Sequence, residues 1–175
     1  MLLGKDRLWE ADSFNSVREA VIDILARLLD QAKWKVGWSA PELAGLLRAQ
    51  TGPAVNEVLD ALVEKGELQQ TGPLYALAGH NPELGAETEK KARRLTEILD
   101  SEGFSPRDWD AAVAEVAGQD RKLGEKLEEF LLGTERLVKL NEKLLTTPEV
   151  LARAREQLAS FSKDGFSASE ARQCL

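Results

Sequence analysis

Pro53–Leu77 reads PAVNEVLDALVEKGELQQTGPLYAL. Its first half is a helix: Val55, Val58, Leu59 and Leu62 recur at i, i+3/i+4 spacing, and Gly66 supplies a C-cap. Its second half is a hairpin, with two short runs, Glu67–Gln70 and Leu74–Leu77, joined by the turn signal Thr71-Gly72-Pro73. Upstream, Ser39 with Glu42 three residues later forms a capping box that opens PELAGLLRAQ, and Pro41 is tolerated in that helix's first turn. Further upstream, Asp12 or Ser13 can cap a longer helix whose apolar face is Val17, Val21, Ile24, Leu25 and Leu28. Three helices followed by a hairpin predict a winged helix, the helix-turn-helix with a β-wing.

The pattern recurs. Glu87–Glu102 (Leu95, Ile98, Leu99 inward), Arg107–Ala117 (Trp109, Val113, Val116) and Asp120–Leu132 (Leu123, Leu127, Phe130, Leu131) predict three more helices. Residues 136–140 and 143–146 predict a second wing, turning at Asn141-Glu142. Trp9 and Tyr75 are 66 residues apart and Tyr75 and Leu145 are 70 apart, a period suited to a string of small domains. The fold class is therefore mostly α with small β-wings (α+β), as tandem winged-helix domains. Residues 1–10 read as the wing remnant of a preceding winged helix, 11–82 and 83–146 as two whole ones, and 147–175 as the N-terminal half of a further one. In that last piece Pro148–Ser162 and Ser167–Leu175 are the predicted helices, expected to dock on the preceding unit. On this reading the chain is a piece of a longer tandem array, and the linker carrying Gly79, Pro82 and Gly85 is the candidate hinge.

Composition narrows the function classes. The 175 residues carry 23 Lys+Arg against 30 Asp+Glu, a net charge of −7, which disfavours a phosphate-binding surface. The balance is uneven: net −3 over 1–82, −4 over 83–146 and 0 over 147–175, so the C-terminal part is the least repelled by a phosphate backbone. One cysteine, Cys174, excludes a disulfide scaffold and fits a reducing, cytoplasmic setting. No apolar run is long enough to span a bilayer, and the N-terminus lacks the apolar stretch of a secretory signal.

Enzymatic chemistry finds no footing. His80 is the single histidine, and Gly79-His80-Asn81-Pro82 reads as a solvated turn rather than a catalytic site. Cys174 has no CxxC partner and reads as a small core residue. No phosphate-binding glycine loop occurs, so neither a cofactor nor a metal is expected in the chain. Glu128-Glu129 and the Asp108/Asp110 pair read as solvated helix faces. Trp9 and Trp109 read as packing residues. Lys33-Trp34-Lys35-Val36-Gly37-Trp38 interleaves basic and aromatic residues in a way that can stack bases, but packing is the simpler role. In winged helices the third helix and wing usually read nucleic acid. Here those elements carry Asn56, Glu57, Asp60, Glu64 and Glu67 against Lys65, and then Arg121, Lys122 and Lys126 against Glu125, Glu128 and Glu129. Both whole units therefore read as structural or protein-contacting modules.

Several stretches in order resemble a known family. Leu74-Tyr75-Ala76-Leu77-Ala78-Gly79-His80-Asn81-Pro82, Gly103-Phe104-Ser105-Pro106, Arg136-Leu137-Val138-Lys139-Leu140-Asn141, Ala152-Arg153-Ala154-Arg155-Glu156 and Phe166-Ser167-Ala168-Ser169-Glu170-Ala171-Arg172 are similar to the C-terminal region of the bacterial selenocysteine-specific elongation factor. The resemblance covers nearly the whole chain. It implies a GTPase body, using GTP and Mg, followed by four winged helices, of which this chain matches the end of the first, all of the second and third, and the start of the fourth. It implies a cytoplasmic translation factor whose last winged helix grips a selenocysteine insertion hairpin in messenger RNA, so that selenocysteinyl-tRNA is delivered at UGA on the ribosome, with no DNA or membrane partner. The family's basic helix and final wing have no counterpart here. Arg172, with Arg153 and Arg155 on the preceding helix, are the RNA-binding candidates that remain, and surface ion pairing is their alternative role. A competing assignment is a stand-alone acidic tandem winged-helix protein that contacts other proteins, of the kind found in chromosome-condensation accessory subunits.

Overall fold

A hairpin of β1 (Leu2–Gly4) and β2 (Arg7–Trp9) leads directly into a long helix, α1 (Ala11–Gln31), in the computed structural model, which describes residues 2–4, 7–9, 11–47 and 55–161. The strands pair antiparallel, with Leu3 opposite Leu8. Because β2 ends at Trp9, α1 begins at Ala11, and Asp12 and Ser13 lie inside its first turn rather than at its cap as the sequence predicts. Phe14, Val17, Val21, Leu25 and Leu29 form the buried stripe, while Ile24 and Leu28 pack at its edge.

The chain forms two units that divide between Glu83 and Leu84. In the first, α1 is followed by β3 (Trp38–Ser39), α2 (Ala40–Leu46), α3 (Val55–Glu64), β4 (Leu68–Thr71) and β5 (Leu74–Leu77). The expected end of the second helix, Arg48–Gln50, and Pro53 before the third lie outside the described residues. Ser39 opens α2 as predicted: the Glu42 carboxylate accepts from the Ser39 backbone N–H at 2.8 Å and from its hydroxyl at 2.6 Å. Those bonds, the hydroxyl first, hold the Glu42 carboxyl below the usual carboxylate range.

At the other end of α3, the Glu67 N–H donates to the Leu62 carbonyl at 2.9 Å and the Gly66 N–H to that of Val63 at 3.0 Å. This paired closure needs a left-handed residue, and Gly66 supplies it at φ +70°. The wing then turns on Gly72-Pro73, with Thr71 opposite Leu74. The sheet has three strands in the order β3-β5-β4. The sequence predicts only two, because β3 is two residues long and exists through its pairing with β5, Trp38 opposite Tyr75. The chain can come that close because residue 37 is glycine: a Cβ there would lie 2.5 Å from the Tyr75 carbonyl oxygen. Trp38, Leu43, Val58, Leu59, Leu62, Leu68 and Tyr75 complete the core beneath α1.

The second unit repeats the helical order with a smaller sheet. Helices α4 (Ala86–Glu102), α5 (Trp109–Ala117) and α6 (Arg121–Gly133) are followed by β6 (Val138–Lys139) and β7 (Leu145–Thr146), paired antiparallel. Helix α5 starts at Trp109, not at Arg107. Arg107 stays outside, its N–H on Glu102 at 2.9 Å and its guanidinium bridging Glu102 and Glu115, which raises its pKa. Asp120 caps α6 by accepting from the Leu123 N–H at 3.0 Å. Asn141 organises the wing turn, accepting from the N–H groups of Lys143 and Leu144. Among the described residues no third strand joins this wing; instead the Trp109 N–H donates to the Lys143 carbonyl at 2.8 Å, fastening the start of α5 to it. Leu95, Leu99, Leu127, Leu131 and Leu145 are fully buried, and Val116 is only half-buried.

Helix α7 (Pro148–Phe161) belongs to this second unit. Thr147, 1% exposed, donates to Asp100 Oδ1 at 3.2 Å and accepts from the Val150 N–H, so one buried hydroxyl both caps α7 and ties it to the end of α4. Val150 is buried beside it. The predicted helix Ser167–Leu175 lies outside the described residues. The fold is thus mostly helical with small antiparallel wings.

Candidate nucleic-acid interface

In a winged helix the groove-reading surface is the exposed side of the third helix with its wing. On α3 that side shows Asn56, Asp60 and Glu64, spaced four residues apart and all exposed. The Tyr75 hydroxyl lies 3.5 Å from Asp60 Oδ1; burial first, and then this carboxylate, push the Tyr75 pKa up. The cations nearby are engaged within the unit. Lys65 Nζ sits 5.0 Å over the Phe14 ring, and Arg18 holds the Glu67 carboxylate through both Nε (2.9 Å) and Nη2. That bond holds the Glu67 carboxyl below its ordinary range and raises Arg18.

A lowered folded-state carboxyl stabilises above the unfolded glutamate range and loses that contribution as pH falls through the folded value. Glu67→Gln is therefore expected to lower the urea midpoint at pH 7, with the gap to the parent chain closing between about pH 5 and pH 3. Urea titrations at both ends of that window measure it. A gap that is the same at pH 3 would remove the ion pair as its cause.

On α6 and its wing Arg121, Lys139 and Arg136 are paired in the same way. Arg121 meets Glu125 at 2.9 Å, Lys139 meets Glu128 at 3.3 Å, and Arg136 meets Glu89 at 2.6 Å while lying 5.2 Å from the Phe130 ring. Between α5 and α6 runs a groove of about 480 Å³, floored by Trp109, Val113 and Gly124 and edged by Asp110, Asp120, Glu125 and Glu128. Helices α5 and α6 are pressed together there, since a Cβ on Gly124 would lie 2.9 Å from Val113 Cγ1. A phosphate backbone brought to this edge meets more carboxylates than free cations.

The residues singled out from the sequence fall as follows. Arg153 is on the exposed side of α7 and reaches Asp100 at 3.2 Å. Arg155 is exposed two positions further, about 200° around the helix, so the two do not form one basic face. Arg172 and Cys174 lie outside the described residues. Trp38 is core, 6% exposed, and Trp34 is half-buried. Lys35 Nζ lies 5.8 Å and 5.5 Å from the Trp34 and Trp38 ring centres, so this basic-aromatic run folds in on itself. His80 is not a solvated turn residue: it is half-buried, and its Nε2 donates to the Lys35 carbonyl at 2.7 Å. Arg18–Glu67 and Thr147–Asp100 had no sequence signal, because 49 and 47 residues separate their members.

Among the described residues no three His, Cys, Asp or Glu side chains come together to hold a metal ion, and no helix is long and apolar enough to cross a membrane. No protein-family model and no curated protein matches the chain.

Proposed function

We propose that the chain is part of the winged-helix arm of a selenocysteine-specific translation elongation factor, and that its two winged helices are spacer modules that meet protein rather than nucleic acid. The ordered resemblance of Leu74–Pro82, Gly103–Pro106, Arg136–Asn141 and Ala152–Glu156 supports the family. The observation that carries the spacer role is the row Asn56, Asp60 and Glu64 on the exposed side of α3, with Arg121, Lys139 and Arg136 of α6 and its wing held by Glu125, Glu128 and Glu89. A helix that reads a groove must neutralise phosphates, and here the exposed carboxylates of α3 and α6 oppose that. In this reading the messenger-RNA hairpin is gripped beyond α7, and the GTPase chemistry resides in another part of the factor.

The test is a fluorescence titration of a labelled selenocysteine insertion hairpin from 50 to 200 mM salt. The chain is compared with a version carried on past Leu175 through a complete fourth winged helix of that family. The longer protein is expected to bind with a steep salt slope, while the chain alone stays at or weaker than the ~10⁻⁴ M limit of non-specific binding. Tight, salt-steep binding by the chain alone would overturn the spacer role. Failure of the longer protein would overturn the family.

A further inference from the structure

The segment that follows the first wing is bonded along its length to the unit it leaves. The Ala78 N–H donates to the Glu67 carbonyl at 3.0 Å, prolonging the β4–β5 ladder beyond Leu77. The Gln69 side chain then clasps the turn from both sides: its Oε1 accepts from the Gly79 N–H at 3.0 Å, and its Nε2 donates to the His80 carbonyl at 2.6 Å. The His80 N–H returns to the Leu77 carbonyl at 3.1 Å. On the far side, His80 Nε2 reaches the Lys35 carbonyl at 2.7 Å, and the Glu83 N–H reaches the Lys33 carbonyl at 3.0 Å. Both acceptors lie in the loop between α1 and β3. From Ala86 onward the chain is α4, with Gly85 as its N-cap and the Gly85 carbonyl already accepting the first helical bond, from Glu89, at 2.9 Å.

We propose that Gln69 and His80 form a latch that makes residues 78–83 part of the first winged helix, so that bending between the two units is confined to Leu84 and Gly85. From composition alone Gly79 and Gly85 mark 79–85 as the candidate hinge, with Pro82 stiffening it. The hydrogen bonds assign them otherwise. Gly79 serves a turn at φ +78°, and Pro82 lies between two residues, His80 and Glu83, whose groups are bonded to the α1–β3 loop. Gln69 is well suited to the clasp because one amide offers a donor and an acceptor in a fixed plane. His80 fits because a ring N–H can reach a backbone carbonyl across the gap. Opening the latch would hand the whole of 79–85 to the joint without breaking a core contact. This proposal is independent of which macromolecule the array meets.

Residue-resolved hydrogen exchange on the intact chain is the first readout, with His80→Ala and Gln69→Ala as variants. A second readout is the distance distribution between spin labels at Asp23 and Lys122, in a Cys174→Ser background. In the parent chain the amides of Gly79, His80 and Glu83 are expected to exchange at least tenfold slower than an unstructured peptide. Each variant is expected to release those three amides tenfold or more and to broaden the label distribution, while the amides of Leu25 and Leu59 stay as slow as before. Unchanged core protection separates an opened latch from a failed fold. If the three amides exchange freely in the parent, or if both variants leave exchange and label distances unaltered, the latch does not exist.

Discussion

Gly37→Ala is expected to lose more stability than any other single-methyl addition in the described structure. The new Cβ would sit 2.5 Å from the Tyr75 carbonyl oxygen and 2.9 Å from its carbonyl carbon. These are backbone atoms of the central strand of a three-stranded sheet, so no side chain can swing aside. To relieve the clash, β3 must separate from β5, and the Trp38–Tyr75 register is lost with it. The cost is expected at or above the ~3 kcal/mol upper end of ordinary overpacking. For a domain of this size that lowers the melting temperature of the first unit by on the order of 10–20 °C. A thermal melt followed by tryptophan fluorescence reads it, since Trp38 is the residue displaced. Gly124→Ala provides the contrast: its nearest neighbour is Val113 Cγ1 at 2.9 Å, a side-chain atom on the adjoining helix rather than backbone of a central strand, so a small shift of α5 against α6 relieves it and its loss is expected to be smaller. Equal losses would show that the β3–β5 approach is not what makes Gly37 necessary.

Leu59→Ala is the second large effect. Leu59 is fully buried among Val55, Val58 and Leu62 of α3 and the apolar stripe of α1. Removing its isobutyl end leaves a cavity in a cluster whose other members, Val58 and Leu62 of α3 and Val21 and Leu25 of α1, are themselves almost wholly buried. Such a site relaxes little, and the loss is expected at about 3–5 kcal/mol. The chain divides into two units with separate cores, so the damage is expected to stay local. Amides of Leu25 and Leu62 should exchange faster by two orders of magnitude or more, while those of Leu95, Leu99 and Leu127 keep their rates. Faster exchange at Leu99 in this variant would mean that the two cores unfold as one.

What the sequence reveals here is what local periodicity records. The helices could be read because Val55, Val58, Leu59 and Leu62, and likewise Leu95, Ile98 and Leu99, mark one face every three or four residues. The capping box at Ser39 and the closing glycine at 66 are also local, and each does in the structure what its chemistry predicts. Strand β3 left no trace, because two residues cannot show a period and their partners, Tyr75 and Leu74, lie 37 and 35 positions further along. The Arg18–Glu67 pair, the Thr147–Asp100 bond and the His80 contact have the same character: each is a meeting of residues 45 or more apart that neither member announces. His80 was misread for a related reason. Its glycine, asparagine and proline neighbours describe the turn correctly but say nothing of the loop the turn folds against. For the candidate interface, the acid-rich character of α3 could be counted from the sequence. So could the Arg121–Glu125 pair, one helical turn apart, whereas the pairing of Arg136 with Glu89 and of Lys139 with Glu128 could not.

Ser39 holds two positions at once. It is the last residue of a strand, opposite Leu74 in the wing, and the residue whose hydroxyl and N–H open α2. No spacer separates the sheet from the helix, so slack between them has nowhere to go. The tip at Gly72-Pro73 adjoins Leu74, Leu74 is paired with Ser39, and Ser39 is bonded to Glu42 in the first turn of α2. The wing and the helix that precedes α3 are therefore spliced through one residue, Ser39, with no joint between them.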